Sequence, residues 1–382
     1  MASMELLLQL CLVVILLVFG FNGVAQGRIN PEGQDITVKT IKTVAGDIYD
    51  CVDIKRQPAM DHPMYQNHEI QMKPTSFPES ALGDNNKESS VTISTVDCPR
   101  GTVPIRRNAK VFSESPAPYN INLLGEGSPG THYAVGKTRD DVTGTYNGIQ
   151  GYVSLYSLAV GANQSSSSRV WVENGSGDQL NSLQAGWMVS PQIYGDSQTR
   201  LFVYMKSNAP GHGRGCYNHL CNPSFVQVNN NIALDAVLSP TTVPNGQQYI
   251  VQLQIFRDTV TGNWWFRFNG ADIGYWINTL LPGLQGGASH VAWGGLAQGL
   301  PNGPSPPMGS GFYEAFNTKS VAYFRQLKVM DPSSNTWVNP NGDDFTLYDD
   351  NRNCYGLDSY GNKDPAVGLI FTFGGPGGNC AN

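Results

Sequence analysis

Short runs of alternating residue character, separated by turn residues, fill the chain from His132 onward. Residues 249–255 alternate Tyr, Val, Leu and Ile with Gln, and residues 201–205, 264–268 and 321–329 alternate in a similar way. A period of two is typical of β-strands, because successive side chains point to opposite faces of a sheet. Gly, Pro and Asn between the runs mark turns, and helical periodicity is scarce. The sequence therefore predicts an all-β fold, a two-layer antiparallel β-sandwich.

The N-terminal third has a different character. Residues 26–128 are polar, interrupted by proline and without strong periodicity, and residues 113–130 are dense in Ser, Pro, Asn and Gly, as in a linker. We expect a mostly irregular region at 26–128, followed by a sandwich domain at 129–382. The length of 382 residues leaves room for this division.

The first 25 residues are predicted to form a secretory signal peptide. Residues 6–18 are almost continuously apolar, and Gly23, Val24 and Ala25 supply small residues at a cleavage site. The segment carries Glu5 and no Lys or Arg, which is unusual for a signal peptide. The alternative is an N-terminal membrane anchor, but the apolar run is short for a span. We expect secretion to the extracellular space or cell wall, with no membrane partner after cleavage.

The net charge and the cysteine count indicate which partners and which cellular compartment to expect. The formal net charge of −6, with no run of Lys or Arg, disfavours a nucleic-acid partner. Without Cys11, six cysteines remain, an even number suited to an oxidising compartment. Fifteen pairings are possible. The most economical set keeps each bridge within one segment: Cys51–Cys98, Cys216–Cys221 and Cys354–Cys380.

A zinc site and two glycosylation sites are the other candidates. His212, Cys216, His219 and Cys221 lie close together, but their spacing does not match common zinc motifs, and disulfide formation is favoured. We expect no metal and no cofactor. Asn163 and Asn174 begin Asn-x-Ser sequons, which predicts N-glycosylation on surface loops. The oligomeric state is left open.

Several segments, in a fixed order along nearly the whole chain, resemble the plant neprosin family of secreted glutamic endopeptidases. Residues 50–63 and 98–107 resemble the family's activation-peptide signature, and the later bridges fit the resemblance. The sandwich segments that carry it are 180–191, 194–197, 215–218, 225–227, 262–265, 274–276, 291–296 and 308–311. The resemblance implies two layered antiparallel sheets with a long cleft, an N-terminal activation peptide, and cleavage of polypeptide next to proline at acid pH.

The same resemblance implies that the catalytic pair is missing. Active members carry one Glu directly before Ala-Gly-Trp and another directly after Trp-Gly-Gly; here those positions hold Gln184 and Leu296. Hydrolysis by an activated water needs a base for the water, a donor for the oxyanion and an acid for the leaving amine. Gln184 can still donate a hydrogen bond, but Leu296 has no donor, acceptor or titratable proton. We expect little turnover by this mechanism.

Other residues are weaker candidates for catalysis. The only glutamates after His132 are Glu173 and Glu314, and we interpret both as surface or turn residues. A Gly-x-Ser-x-Gly elbow is absent from the sequence. Aromatic residues that could line the cleft are Trp187, Tyr204 and Trp293, although packing in the core is a competing role for the two tryptophans.

The sequence is compatible with three functions. The leading one is a neprosin-like protein without a working dyad that binds extended polypeptide, including proline-rich segments, in its cleft. The second is an active proline-directed acid endopeptidase that uses a substitute base. The third is a carbohydrate-binding β-sandwich, suggested by fold analogy and aromatic content.

Overall fold

The computed structural model describes residues 35–78, 91–93, 95–107, 129–209, 215–221, 225–314, 317–362 and 368–380. Within these residues, most regular structure is β, and helical structure is limited to single turns. The predicted all-β class is confirmed. The short turns are Ile54–Arg56, Pro58–Asp61, Pro63–Tyr65, Gly177–Gln179, Pro191–Tyr194, Asn278–Leu280, Pro282–Leu284 and Gly342–Asp344. The predicted signal peptide and residues 113–128 of the predicted linker lie outside the described residues.

Two large antiparallel sheets form the sandwich. The seven-stranded sheet has the order β10-β9-β8-β7-β16-β5-β19. Its strands are β5 (Thr131–Thr138), β7 (Ser165–Asn174), β8 (Asn181–Val189), β9 (Arg200–Lys206), β10 (Cys216–Tyr217), β16 (His290–Gln298) and β19 (Phe345–Asp349).

The nine-stranded sheet has the order β11-β15-β14-β13-β6-β17-β21-β20, with β18 paired to β17. Its strands are β6 (Gly148–Ser154), β11 (Val226–Gln227), β13 (Ile250–Arg257), β14 (Trp264–Phe268), β15 (Ala271–Trp276), β17 (Ala322–Met330), β18 (Trp337–Val338), β20 (Gly356–Asn362) and β21 (Leu369–Gly374).

Two buried tryptophans of the seven-stranded sheet join it to the other layer. The indole N–H of Trp187 donates to the Ser154 carbonyl at 3.0 Å, and that of Trp293 donates to the Gln150 carbonyl at 2.8 Å. Gly151 makes this close packing possible, because a Cβ there would lie only 2.8 Å from the Trp293 ring. These contacts define the inner faces of the sandwich.

The N-terminal region contains a small sheet of its own, with little other regular structure, as predicted. Strands β1 (Thr37–Lys42), β2 (Ile48–Asp53) and β4 (Thr102–Arg106) pair in the order β1-β2-β4. The Cys51–Cys98 disulfide closes this region. Strand β3 (Thr92–Ile93) pairs with β12 (Leu238–Ser239), so the region also extends onto the sandwich domain.

Buried ion pairs connect the N-terminal sheet to the sandwich. The Arg200 guanidinium, 1% exposed, contacts Asp47 at 2.8 Å and Asp196 at 2.6 Å. Arg106 contacts the same two carboxylates, at 2.8 Å and 3.5 Å. Two arginines and two aspartates, one of each from either region, therefore form a single network.

Further hydrogen bonds continue this contact along the nine-stranded sheet. The Gln57 side chain is fully buried; its amide oxygen accepts from the Gln227 N–H at 2.8 Å and its amide nitrogen donates to the Gln227 carbonyl at 3.1 Å. The buried carboxylate of Asp258 accepts hydrogen bonds from the backbone N–H groups of Thr75 and Ser76 and from the Gln71 side chain.

The three disulfides of the structure are Cys51–Cys98, Cys216–Cys221 and Cys354–Cys380, so the predicted pairing is confirmed. Each joins cysteines with a Cα separation of 5.5–5.9 Å, which is usual for disulfides. In the described part of the chain, the helices are too short or too polar to serve as membrane spans.

Candidate functional site

Gln184 and Leu296 lie on the same face of the seven-stranded sheet, on strands separated by β7. Gln184 of β8 pairs with Trp171 of β7, and Leu296 of β16 pairs with Ser167 of β7. Ser167 and Trp171 are four residues apart and so point to one face, offset by about 13 Å along the strand. We call this outer face, with Ser167, Arg169, Trp171 and Glu173 along its centre, the cleft face.

The side chain of Arg169 lies between these two positions. Its Nη1 donates to Gln184 Oε1 at 2.7 Å, and its Nε donates to Ser167 Oγ at 2.9 Å. Ser167 Oγ donates in turn to the Leu296 carbonyl at 3.3 Å. The fully buried guanidinium therefore bridges the strands that carry Gln184 and Leu296.

Two glycines beside Arg169 explain how its long side chain fits. Arg169 pairs with Gly186 on β8 and with Gly294 on β16, and Gly186 pairs with Phe202 on β9. With no side chain at position 186, the guanidinium reaches across β8 to within 4.6 Å of the Phe202 ring centroid. A Cβ at Gly186 would lie 2.0 Å from the Ser168 carbonyl oxygen, so alanine is not accommodated.

A directed row of hydrogen bonds runs from Arg169 to Glu173. Arg169 only donates, so Gln184 turns its Oε1 toward Arg169 and its Nε2 toward Ser182 Oγ, 2.9 Å away. Ser182 Oγ then donates to Glu173 Oε1 at 2.7 Å. The relay Arg169–Gln184–Ser182–Glu173 fixes the orientation of the Gln184 amide.

The interpretation of Glu173 as a surface or turn residue is wrong. Glu173 is fully buried and lies within β7, where it pairs with Ser182 and His290. The sequence contained a signal for this position, because Val170 and Val172 alternate with Arg169, Trp171 and Glu173. That alternation places Glu173 on the cleft face. Glu314 is exposed, as expected.

Leu296 belongs to an apolar cluster that is separate from the main core. The cluster consists of Tyr133, Val135, Trp171, Ala292 and Leu296, all at most 3% exposed. Burial and the charge of Glu173 raise the pKa of the Tyr133 phenol well above its usual value, so this hydroxyl stays protonated. A polar group at position 296 would be surrounded mainly by hydrocarbon.

Of the three predicted cleft aromatics, the structure places only Tyr204 on the cleft face. Tyr204 pairs with Gln184, and burial raises the pKa of its phenol. Trp187 and Trp293 are corrected to core residues. Each is an odd number of positions from Gln184 or Leu296, so its ring points to the inner face and contacts the other sheet.

The Cys216–Cys221 loop covers the β9 end of the cleft face. Tyr217 from this loop packs with its ring centroid 4.7 Å from that of Tyr204. Both cysteines are in the disulfide, and His219 contacts Gln227 at 2.9 Å, while His212 lies outside the described residues. In the parts of the chain that the structure describes, no group of three or more His, Cys, Asp or Glu could hold a metal ion.

The two sequons differ in their surroundings. Asn163 is exposed in a turn before β7. Asn174 ends β7, is half-buried, and its Nδ2 donates to the Gly283 carbonyl at 2.7 Å. The side-chain nitrogen that would carry a glycan is therefore already engaged at Asn174, which departs from the surface loop expected there.

The fold is a two-layer antiparallel β-sandwich. Its candidate site is the row of buried polar and aromatic side chains along one outer face. Residues 162–376 match the family described as Neprosin, and residues 40–111 match the neprosin activation peptide. Because the first match covers more than half of the 382 residues, the chain belongs to the neprosin family.

Two solved structures are similar at low identity. Scytalido-glutamic peptidase with a peptide based transition state analog shares 10% identity at a TM-score of 0.32, covering 65% of this chain and 98% of that chain. SCP-B, a member of the Eqolisin family of peptidases in a complex with the tripeptide Ala-Ile-His, shares 10% identity at a TM-score of 0.28, with the same coverage.

Proposed function

We propose that the protein is a secreted neprosin-family protein that binds extended polypeptide, including proline-rich segments, along the cleft face without hydrolysing it through positions 184 and 296. The observation that carries this proposal is the pair of replacements at the site. Leu296 lies in an apolar cluster, and the Arg169 guanidinium lies between Leu296 and Gln184.

The chemistry of these replacements explains the expected lack of turnover. Leu296 cannot take a proton from water, and loss of a general base alone costs on the order of 10²–10⁴ in rate. The remaining Gln184 amide has its oxygen bonded to Arg169 and its nitrogen bonded to Ser182. It can still donate a hydrogen bond, but an amide does not titrate and so cannot act as the base.

The character of the cleft face supports binding. Tyr133, Trp171 and Tyr204 place aromatic rings on this face, buried in the present structure, and aromatic rings pack well against prolyl rings and aliphatic side chains. Hydroxyl and indole groups on the same side chains can contact the backbone of an extended ligand.

Secretion is supported by the three disulfides, which form and persist in oxidising compartments. Expression of the full chain in plant cells, followed by N-terminal sequencing of protein recovered outside the cells, tests this part. We expect a mature N-terminus at Gln26. Retention of uncleaved protein within the cells would contradict it.

Restoring a carboxylate at position 296 tests the catalytic part. We expect Leu296→Glu to give acid peptidase activity at least about 100-fold above wild type, because it returns a general base. Burial in the apolar cluster would raise the pKa of the new carboxyl, and Arg169, two residues from the β7 partner of Leu296, would oppose that rise. Products from a proline-rich protein substrate, incubated at acid pH, are identified by mass spectrometry.

Leu296→Gln is the matched control for that experiment. It has nearly the same size and polarity as Leu296→Glu but cannot act as a base, so it should stay at the wild-type level. Circular dichroism confirms that both variants are folded. Wild-type protein that already cleaves as fast as Leu296→Glu would show that the catalytic centre lies elsewhere, and the proposal would be wrong.

One observation favours a second candidate, an active endopeptidase with a substitute base. The buried carboxylate of Glu173 lies on the cleft face, hydrogen-bonded to Ser182, which contacts Gln184. However, Glu173 is six residues from the β7 partner of Leu296, about 20 Å along the strand, and on the far side of Gln184. It therefore does not replace a base at position 296. Acid proteolysis that Glu173→Gln abolishes would support this candidate.

A further inference from the structure

Two buried aromatic side chains on the cleft face have hydrogen-bond donors without a partner among the described residues. They are the hydroxyl of Tyr133 and the indole Nε1–H of Trp171, whose side chains are 3% and 0% exposed. An indole N–H can only donate, so the partner that Trp171 could gain is an acceptor. Leaving a buried donor without a hydrogen bond is unfavourable, and such groups are uncommon in folded proteins.

The two donors lie in one part of the cleft face. Tyr133 and Trp171 belong to the same apolar cluster as Leu296. Tyr133 pairs with Leu296, and Trp171 pairs with Ala292, so both side chains lie beside members of this cluster on β16. At the base of Tyr133, its backbone N–H donates to Asp350 Oδ1 at 2.5 Å, which holds this end of β5 in place.

We propose that the Tyr133 hydroxyl and the Trp171 indole bind backbone carbonyl oxygens of an extended peptide lying across Leu296 on the cleft face. This inference rests on the proposed function and assigns the contacts that hold the ligand. The apolar side chains of the cluster contact the ligand's side chains, and the two donors fix its backbone. A ligand reaches both groups only when the cleft face opens, because both are buried in this structure.

Both donors are neutral groups, which suits an uncharged acceptor. All three nitrogens of Arg169 donate to Gln184 or Ser167, so protein groups hold this guanidinium in place. A peptide carbonyl, which is a strong but uncharged acceptor, matches two neutral donors.

The chain offers matched controls for both donors. Trp265 also has an indole N–H without a partner in the described structure, but it lies on β14 of the other sheet. Tyr156 has an unpartnered buried hydroxyl after β6. Trp265→Phe and Tyr156→Phe therefore remove the same chemical groups away from the cleft face.

The experiment measures affinity of the full chain for a blocked dodecapeptide of alternating alanine and proline, by isothermal titration calorimetry. We expect Tyr133→Phe and Trp171→Phe each to raise Kd by about 3- to 10-fold, the usual effect of one neutral hydrogen bond. Trp265→Phe and Tyr156→Phe should stay within about twofold of wild type, since ligand contacts are not removed.

A second measurement needs only the wild-type ligand complex. In a ¹⁵N-indole-labelled sample, the Trp171 resonance, assigned by its loss in Trp171→Phe, should shift downfield on peptide addition as the N–H gains an acceptor. The Trp265 resonance should stay in place. A Trp171 resonance that does not move at saturating peptide overturns the proposed contact.

The outcomes separate this inference from the proposed function. Equal Kd values for wild type and both cleft variants would overturn the donor pair while leaving peptide binding intact. No binding of the peptide by wild type would overturn peptide binding and the donor pair together. Tighter binding of an aspartate-containing dodecapeptide through the same two donors would overturn the neutral class of ligand.

Discussion

The interface of the N-terminal region and the cleft face are both buried and polar, but the side chains that join the N-terminal region to the sandwich are hydrogen-bonded or ion-paired, whereas two donors on the cleft face are not. At the interface, Gln57 and Asp258 each have several hydrogen-bond partners, and Arg200 contacts two carboxylates. On the cleft face, the Tyr133 hydroxyl and the Trp171 indole N–H have no hydrogen-bond partner among the described residues.

Under the proposed function, this difference separates a permanent contact from a binding site. A buried polar group that is fully bonded stabilises a fixed arrangement, and removing one partner is costly. A buried donor with no partner gives up that stability and can regain it only by binding something else. Removing a polar group should therefore lower the free energy of unfolding more at the interface than on the cleft face.

The largest effect is expected from Arg200→Met, which breaks the ion-pair network between the N-terminal sheet and the sandwich. It leaves Asp47 and Asp196 with Arg106 as their common partner, and loss of one member of a buried pair costs about 3–5 kcal/mol. Urea unfolding at pH 7 measures the change. Arg352→Met, at an ion-pair side chain that is 85% exposed, should change stability by less than about 1 kcal/mol. Equal effects of the two variants would contradict the interface assignment.

A smaller, pH-dependent effect is expected at Asp258. Burial alone would raise the pKa of this carboxyl, but hydrogen bonds from Thr75, Gln71, Ser76 and Val260 outweigh it and lower the pKa to about 2. The folded protein therefore gains stability above pH 4 that is lost as the pH falls toward 2, about 2 kcal/mol in all.

Asp258→Asn should lose that contribution at pH 7 and show a shallower decline in the free energy of unfolding between pH 4 and pH 2. Thermal unfolding across this pH range, with wild type alongside, provides the comparison. A variant whose stability declines as steeply as that of wild type would show that another carboxyl is responsible.

The smallest effect is expected on the cleft face itself. Tyr133→Phe removes a buried hydroxyl that has no partner in the described structure, so the free energy of unfolding should stay within about 0.5 kcal/mol or rise slightly. The same urea titration measures it. A loss greater than about 1.5 kcal/mol would mean that the hydroxyl is bonded in the free protein, and the contrast between the two regions would disappear.

Much of the fold could be predicted because its signals are local. Period-two runs predicted the strands, and the closeness of cysteines in sequence predicted the disulfides. The positions of Gln184 and Leu296 came from short motifs. Their register across β7 did not, because pairing between strands distant in sequence is set by tertiary packing.

The residues that were missed show where sequence reasoning stopped. Glu173 precedes a sequon and so resembled a turn, although its alternation with Val170 and Val172 predicted a strand. Arg169 gave no signal as a bridging group, because its role depends on Gly186 and Gly294 lying beside it in neighbouring strands. No spacing within one segment of the chain could show that arrangement.

The contact between the N-terminal sheet and the sandwich also bears on the order of synthesis. Residues 35–107 leave the ribosome before the sandwich strands, and the Cys51–Cys98 bridge lies wholly within this early segment. When β9 and β13 follow, Asp47 and Gln71 are already available to Arg200 and Asp258. A gene fragment beginning at β5 would produce a sandwich whose buried arginine and carboxylate lack these partners, so the early segment completes the pairing of buried charges in the later one.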